Sequence, residues 1–305
     1  MLSNGVNRWR GTIKMIDLHA HILPGLDDGA ETLDESIEMC WRSYQDGVRT
    51  IVATPHTLNG VYQNDRLMIL AKVQELNEAI KKFRVQGSAF GVQNFNASTP
   101  QRLNVNSKNS INPTNSINPM TQQSNDSMTS LRVLPGADVH FSFDMLQVCE
   151  NGGMVTVNDN GRYLMVEFDF QGIPYHAEDV LFQMITKGII PIITHPERNF
   201  EIGQKPQRYG EMIRMGCLGQ VTAMSLTGGF GAGVRRTAER LLKNRLLHVI
   251  ASDTHSINRR PPLLSTAVRV AEKIVGKEEA QKMVTEYPQA IVEGRRPCVP
   301  EPLSP

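Results

Sequence analysis

Cysteine is scarce in this sequence and never closely spaced. Cys40, Cys149, Cys217 and Cys298 stand far apart, with no C-x-x-C pair. That pattern argues against a disulfide scaffold and leaves reduced thiols in a cytoplasmic chain as the expectation. No charge sign is in excess. The 32 basic residues face 31 acidic ones, for a formal net charge of +1. That balance argues against a protein built to neutralise a nucleic-acid backbone. No apolar run approaches the roughly 20 residues that span a bilayer, so no membrane insertion is expected. The opening MLSNGVNRWRGTIKM has no apolar h-region, and a secretory signal is not expected either.

What is present is ordinary enough to fold. Hydrophobic residues make up 40% and charged residues 21% of 305, which suits a packed soluble core. Two stretches stand outside that average. Residues 1–14 carry no periodic pattern and read as a flexible extension. Residues 93–130 hold 24 Asn, Ser, Gln or Thr among 38 positions, with the hexapeptide NSINPT beginning a near-repeat at Asn109. Such a composition buries too little apolar surface to offset its ordering entropy and reads as a disordered insertion in a surface loop.

Without them roughly 250 residues remain, the typical length of a (β/α)8 barrel. Seven short β-branched runs alternate with helical patterns. The runs are Lys14–His19, Arg49–His56, Arg132–Asp138, Tyr163–Phe168, Ile189–His195, Cys217–Ala223 and Leu247–Asp253. The first helix opens at a Thr32-x-x-Glu35 capping box, with Ile37, Cys40, Trp41 and Tyr44 expected on its buried face, and stops at Gly47. Further helices are expected over about 65–83, 177–187, 206–215, 234–244 and 263–275. Apolar strands alternating with amphipathic helices imply a parallel sheet covered by helices. Seven repeats favour a closed, TIM-like barrel. Residues 15–296 then form one domain and 297–305 a C-terminal tail.

The chemistry lies in where the ionisable residues fall. His19 and His21 close the first run, His56 the second, Asp138 the third, Glu167 the fourth, His195 the fifth, and Asp253 with His255 the seventh. Asp28 sits in the LDDG turn after the first. In a parallel barrel all strand C-termini open on one face, so these groups would converge there. Alternate positions on a strand share a side, which aims His19 and His21 together. Imidazole with carboxylate suits Mn, Fe or Zn, and nine donors suffice for two or three ions. His140, His176 and His248 fall outside this set and read as structural or surface residues. Arg198 follows His195 by three residues and Arg260 follows His255 by five. Their rigid guanidinium forks match phosphate oxygens.

With those residues in view, a resemblance is plain. His19-x-His21 with LDDG, TPH, GAD, VEF, HPER and SDTH resembles the polymerase-and-histidinol-phosphatase (PHP) superfamily. Within it the chain is similar to the manganese-dependent protein-tyrosine phosphatases of bacterial capsule and exopolysaccharide operons, the CpsB/CapC/YwqE type. The resemblance covers about 15–296 apart from the insertion. It implies a distorted (β/α)7 barrel of the PHP type and a phosphotyrosine protein as substrate, a bacterial tyrosine kinase in particular. It also implies three divalent ions, Mn²⁺ above all. His19, His21 and Asp253 would hold the first, Glu167 and His195 the second, and Asp28, His56 and His255 the third. Arg198 and Arg260 match the family's phosphate-binding arginines. Where the family bridges the first two ions with a glutamate, this chain carries Asp138, one methylene shorter.

Such cations lower the pKa of a bound water and so supply the nucleophile. The sequence offers no other phosphatase signature. Six residues after the four cysteines stand Asp46, Val155, Ala223 and Ser304, so Cys-x5-Arg is absent, as are Asp-x-Asp-x-Thr and Arg-His-Gly. Two alternatives remain open at this level. One is a PHP phosphatase acting on a small ester such as histidinol phosphate. The other is a degenerate, non-catalytic regulatory barrel.

Overall fold

The computed structural model describes residues 14–83 and 128–303. The expected N-terminal extension and nearly all of the 93–130 insertion lie outside them. At the insertion's far edge Met128–Ser130 form a single 3-10 turn, with Met128 buried.

Among the described residues nine strands, all parallel, form two sheets. The first has the order β1-β2-β4, from Met15–Ala20, Val48–Ala53 and Arg132–Pro135. The second has the order β3-β5-β6-β7-β8-β9, from His56–Thr57, Asp138–His140, Tyr163–Glu167, Ile190–Thr194, Leu218–Thr222 and Val249–Ala251. A parallel bridge between Ala20 and Thr254 links the end of β1 to the turn after β9. Two of the seven expected runs are each cut in two. Pro55, with no N–H to donate, separates β2 from β3. Gly136 and Ala137 separate β4 from β5, and a Cβ on Gly136 would lie 2.6 Å from Val52 Cγ1. His56 and Asp138 restart the ladder as direct register partners.

Helices connect the strands. Leu33–Asp46 begins at Thr32, whose hydroxyl accepts from Glu35 N at 3.2 Å, and ends at Gly47 in the left-handed region at φ 106°. Glu35 returns its carboxylate to Glu31 N, one residue before the expected box partner. The buried stripe is Ser36, Met39, Cys40 and Ser43. Ile37, Trp41 and Tyr44 are only partly buried, because the small serines let the helix approach on the neighbouring face. Arg66–Lys82 buries Ile69, Val73, Leu76 and Ile80. The helices at Ala177–Thr186, Gln207–Met215, Ala232–Lys243 and Ser265–Val275 follow the expected pattern. Short helices at Phe200–Gln204, Ala223–Thr227, Lys277–Lys282 and Glu286–Val292 did not stand out in the periodicity. At five to seven residues each, they are too short for a 3.6-residue period to register.

The core grades into the site along the strands. Met165, Ile192 and Leu218 belong to one buried apolar cluster with Ile16, Leu18, Val52, Tyr163 and Val249. Two residues further on, and so on the same face, stand Glu167, Thr194 and Gln220. Each large buried side chain contributes about 1.5–3 kcal/mol of burial, and the same strands lift a polar group to the rim. On β1 the register shifts between Asp17 and Ala20. Leu18 joins the core while its neighbour His19, on the opposite face of the strand, reaches the polar side.

Candidate metal centre

The nine donors meet at the C-terminal ends of the strands. His19 Nε2 and His21 Nε2 lie 3.0 Å apart. Asp253 Oδ1 is 3.6 Å from His19 Nε2, His21 Nε2 and His255 Nδ1. Asp138 Oδ2 is 3.5 Å from His19 Nε2, 3.6 Å from His56 Nδ1 and 3.9 Å from His195 Nε2. Glu167 reaches His195 Nε2 at 3.3 Å and His56 Nδ1 at 3.5 Å. Asp28 Oδ1 is 3.4 Å from His255 Nε2 and 3.7 Å from His56 Nε2. Among the sets of described residues with donor atoms within 4.8 Å of one another are His21, Asp28, His56 and His255; His19, His21 and Asp138; and His56, Asp138 and Glu167. The expected sets are also close: His19, His21 and Asp253 have donor atoms 3.0 to 3.6 Å apart, and Glu167 lies 3.3 Å from His195. Asp138 stands beside the first set and His56 beside Glu167.

Hydrogen bonds at the far side of each ring decide which nitrogen faces inward. Gln220 Oε1 takes the N–H of His19 Nδ1 at 3.0 Å, and Asp27 Oδ2 takes that of His21 Nδ1 at 2.6 Å. The Asp253 carbonyl accepts from His255 Nδ1 at 3.0 Å. Both Nε2 lone pairs of His19 and His21 then point at each other, an arrangement that a shared cation relieves. Three further donor atoms, His56 Nδ1, Asp138 Oδ2 and His255 Nε2, are buried without any hydrogen-bond partner. Buried polar atoms are seldom left so. The donor set and its orphaned atoms therefore fit divalent cations held by imidazole and carboxylate.

The backbone is bent to bring these groups in. His195 and Asp253 both adopt positive φ, 33° and 51°, a conformation that costs about 1–3 kcal/mol in a residue other than glycine. Asp253 N donates to His19 O and His21 N donates to Thr254 O, at 2.8 and 2.9 Å. The buried Asp17 carboxylate accepts from His19 N and Ser252 N.

Burial and charge set the protonation preferences. Burial, reinforced by the facing His56 and His19, holds His21 well below the usual imidazole range. Burial likewise takes His255 down to about 2. Burial would raise Asp253, but His19, Arg260 and His195 outweigh it and keep it ionised. His195 goes the other way, to about 9. Burial opposes that rise, and the Asp138 and Glu167 carboxylates overcome it. The carboxylates draw positive charge to the place where the imidazoles converge.

Both arginines stand at the edge of this cluster. Arg198 Nη1 and Arg260 Nη2 reach Asp253 Oδ2 at 2.9 and 2.5 Å. Their side chains are 16% and 22% exposed, so each keeps a face toward solvent. The cavity of about 150 Å³ lined by Tyr163, Ile190, Cys217, Leu218 and His248 lies at the opposite, N-terminal ends of the strands and takes no part in this cluster.

The family model for capsular polysaccharide synthesis, CpsB/CapC, covers residues 15–91 and 91–293. The chain belongs to the CpsB/CapC family. The tyrosine-protein phosphatase YwqE of Bacillus subtilis (strain 168) is 31% identical over 264 residues, 87% of this chain and 86% of its own. The tyrosine-protein phosphatase CpsB of Streptococcus agalactiae serotype III is 26% identical over 284 residues, 91% of this chain and 98% of its own. A solved structure from the set of YwqE of Bacillus subtilis and CpsB of Streptococcus pneumoniae, described as metal-dependent tyrosine phosphatases, superposes with a TM-score of 0.78 at 30% identity. It covers 95% of this chain and 99% of that one.

In this CpsB/CapC chain several groups at the site escaped the sequence reading. His140, set aside as structural, lies on β5 with Nδ1 3.8 Å from Glu167 Oε2 and Nε2 3.7 Å from Asp169 Oδ1. The Glu167 carboxylate beside it, with Asp169, raises it above the usual imidazole range. The signal was there: Asp138-x-His140 has the same two-residue spacing as His19-x-His21. Asp27, beside the expected Asp28, holds His21 and also accepts from Gly29 N and His56 N. Gln220 carries no ionisable group to mark it. Glu197 is buried and accepts from Thr222 N and Ser225 Oγ. It pins the turn after β7 to the end of β8. Of the other two histidines, His176 is exposed beside Asp179, and His248 is buried at the far end of the sheet.

Proposed function

We propose that this chain is a metal-dependent phosphomonoesterase that hydrolyses phosphotyrosine in proteins, in particular on a bacterial tyrosine kinase of capsule or exopolysaccharide synthesis. The observation that carries the reading is the pair of Nε2 lone pairs of His19 and His21, 3.0 Å apart at a rim of carboxylates. Family membership and the named phosphatases among its relatives support it. The strand order supports a distorted (β/α)7 barrel of the PHP type, with β2 and β3 sharing one strand position and β4 and β5 another. Four free cysteines suit a cytoplasmic location.

His19, His21, Asp28, His56, Asp138, Glu167, His195, Asp253 and His255 would hold two or three divalent cations, Mn²⁺ first among them. Asp138 spans the imidazoles that a longer glutamate would also reach. Such cations supply Lewis acidity at a phosphoryl oxygen and lower the pKa of a coordinated water. Asp27, Gln220 and the Asp253 carbonyl keep three rings in the tautomer that leaves Nε2 bare. Arg198 and Arg260 each hold Asp253 with one N–H and offer their remaining N–H groups to the phosphoryl oxygens, where they offset charge as it builds. The tyrosyl oxygen, with a conjugate-acid pKa of about 10, leaves without a strong proton donor. A cysteine nucleophile finds no support. Burial pushes Cys40 and Cys217 up to about 12, opposite to an activated thiolate.

The test is metal analysis of the purified protein, with assays on a phosphotyrosyl peptide and on histidinol phosphate before chelation, after it, and after Mn²⁺ is restored. Metal-dependent preference for the peptide is expected. Faster turnover of histidinol phosphate moves the substrate to a small ester. A protein that holds no metal and cleaves neither ester is a regulatory barrel.

A further inference from the structure

Arg198 is held between two aromatic rings. Its guanidinium carbon lies 4.7 Å from the ring centre of Phe170 and 4.7 Å from that of Phe230, within cation–π range of both. Arg260 lies 5.8 Å from the ring centre of Phe230. The two rings are not equivalent. Phe230 is partly buried, in a loop between Gly228 and Gly231, both in the left-handed region, and it alone touches both arginines. Phe170 is 49% exposed and contacts Arg198 and, at 6.0 Å, the ring of His195. Its loop is fixed in place. Phe170 O accepts from Phe200 N and Asp169 O accepts from Asn199 Nδ2, each at 2.7 Å.

An ester whose phosphoryl group sits between the cation cluster and Arg198 must send its leaving group away from both, toward solvent. Phe170, beside Arg198 and His195, offers a half-exposed apolar surface to such a group. We propose that Phe170 is the specificity-determining residue that selects aryl over alkyl phosphates by packing against the leaving-group ring, whereas Phe230 is a positioning residue that steadies Arg198 and Arg260. This rests on the phosphomonoesterase reading above. An offset-stacked or edge-to-face aromatic pair contributes enough to change binding by roughly two- to tenfold. A buried platform under both arginines has no view of the leaving group and treats all phosphate esters alike.

Binding of phenylphosphonate and methylphosphonate to the Mn²⁺-loaded protein, by calorimetry, separates the two roles without turnover. The wild type is expected to prefer the phenyl compound. Phe170→Ala narrows that preference by roughly three- to tenfold, and Phe170→Tyr restores it. Phe230→Ala weakens both phosphonates in the same proportion. The proposal is overturned if the wild type shows no aryl preference. It is equally overturned if Phe170→Ala weakens both compounds equally or changes neither. In those cases hydrolysis of phosphotyrosyl peptide by the same preparation shows that the phosphatase reading survives. A metal-loaded wild type that binds neither phosphonate and cleaves no ester sinks both.

Discussion

Asp27 Oδ2 lies 2.6 Å from His21 Nδ1, and the same oxygen takes the backbone N–H of His56 at 3.0 Å. One carboxylate thus sets the tautomer of one candidate ligand and the backbone position of another. Asp27→Asn keeps the shape and removes the charge. Mn²⁺ affinity, measured by titration of the apo protein, is expected to fall about 10- to 100-fold, the usual effect of losing such a partner. Unchanged affinity would show that Asp27 only shapes the loop.

Gly29 makes that loop possible. A Cβ there would collide with the His21 carbonyl oxygen and lie 2.7 Å from His21 Cβ. Gly29→Ala must displace His21 or the whole turn. A loss of about 1–3 kcal/mol in unfolding free energy is expected, as for overpacking elsewhere, together with weaker metal binding. Wild-type stability and metal content would refute this close approach.

His195→Ala and Asp253→Ala remove groups of the proposed cation site without carrying the core. Hydrolysis of an aryl phosphate is expected to fall by at least about 10²-fold, on the scale of losing one transition-state electrostatic group. The circular dichroism spectrum should be that of the wild type. Retention of full turnover by either variant contradicts the site.

Cations that bind the folded chain alone raise its melting temperature by mass action. At a free concentration a hundred times Kd the gain is about 2.7 kcal/mol for one site. A chelated sample should therefore melt lower, and Mn²⁺ should restore the transition in a saturable way. Identical melting with and without chelator would mean that the converging imidazoles hold no ion.

His248 gives a pH-dependence remote from the metal centre. Burial lowers its imidazole from 6.5 to about 4, while its Nδ1 accepts from Gly219 N at 3.0 Å. In the unfolded chain it titrates near 6.5. Between those values the unfolded state binds the extra proton, so stability rises with pH. The contribution is complete above about 6.5 and is lost as pH falls toward 4, on the order of 3 kcal/mol in all. Urea unfolding from pH 4 to 7 should show this slope, and His248→Asn, which keeps an acceptor for Gly219, should flatten it. Parallel profiles for the two proteins would remove His248 as the cause.

Most of the centre was readable because chemistry and periodicity coincide at strand ends. His19, His21, His56, Glu167, His195, Asp253 and His255 each close an apolar run, and parallel strands carry such ends to one face. His140 was equally readable from Asp138-x-His140, had the two-residue spacing been applied there. Asp27 and Asp28 are different. Two identical residues in one turn carry no local sign of which faces His21 and which faces His255. Phe170 and Phe230 lie in loops, where no periodicity assigns a direction.

The sequence by itself determined the alternation of strands and helices, the family, and the kinds of donor that gather at the rim. These depend on nearest-neighbour patterns and on residue identity. Only the tertiary structure decided which donors share a set, which ring nitrogen faces inward, and that Arg198 lies between two phenylalanines. Those relations join residues as far apart as His19 and Gln220, or Phe170 and Phe230. They come from packing distances that no local pattern encodes.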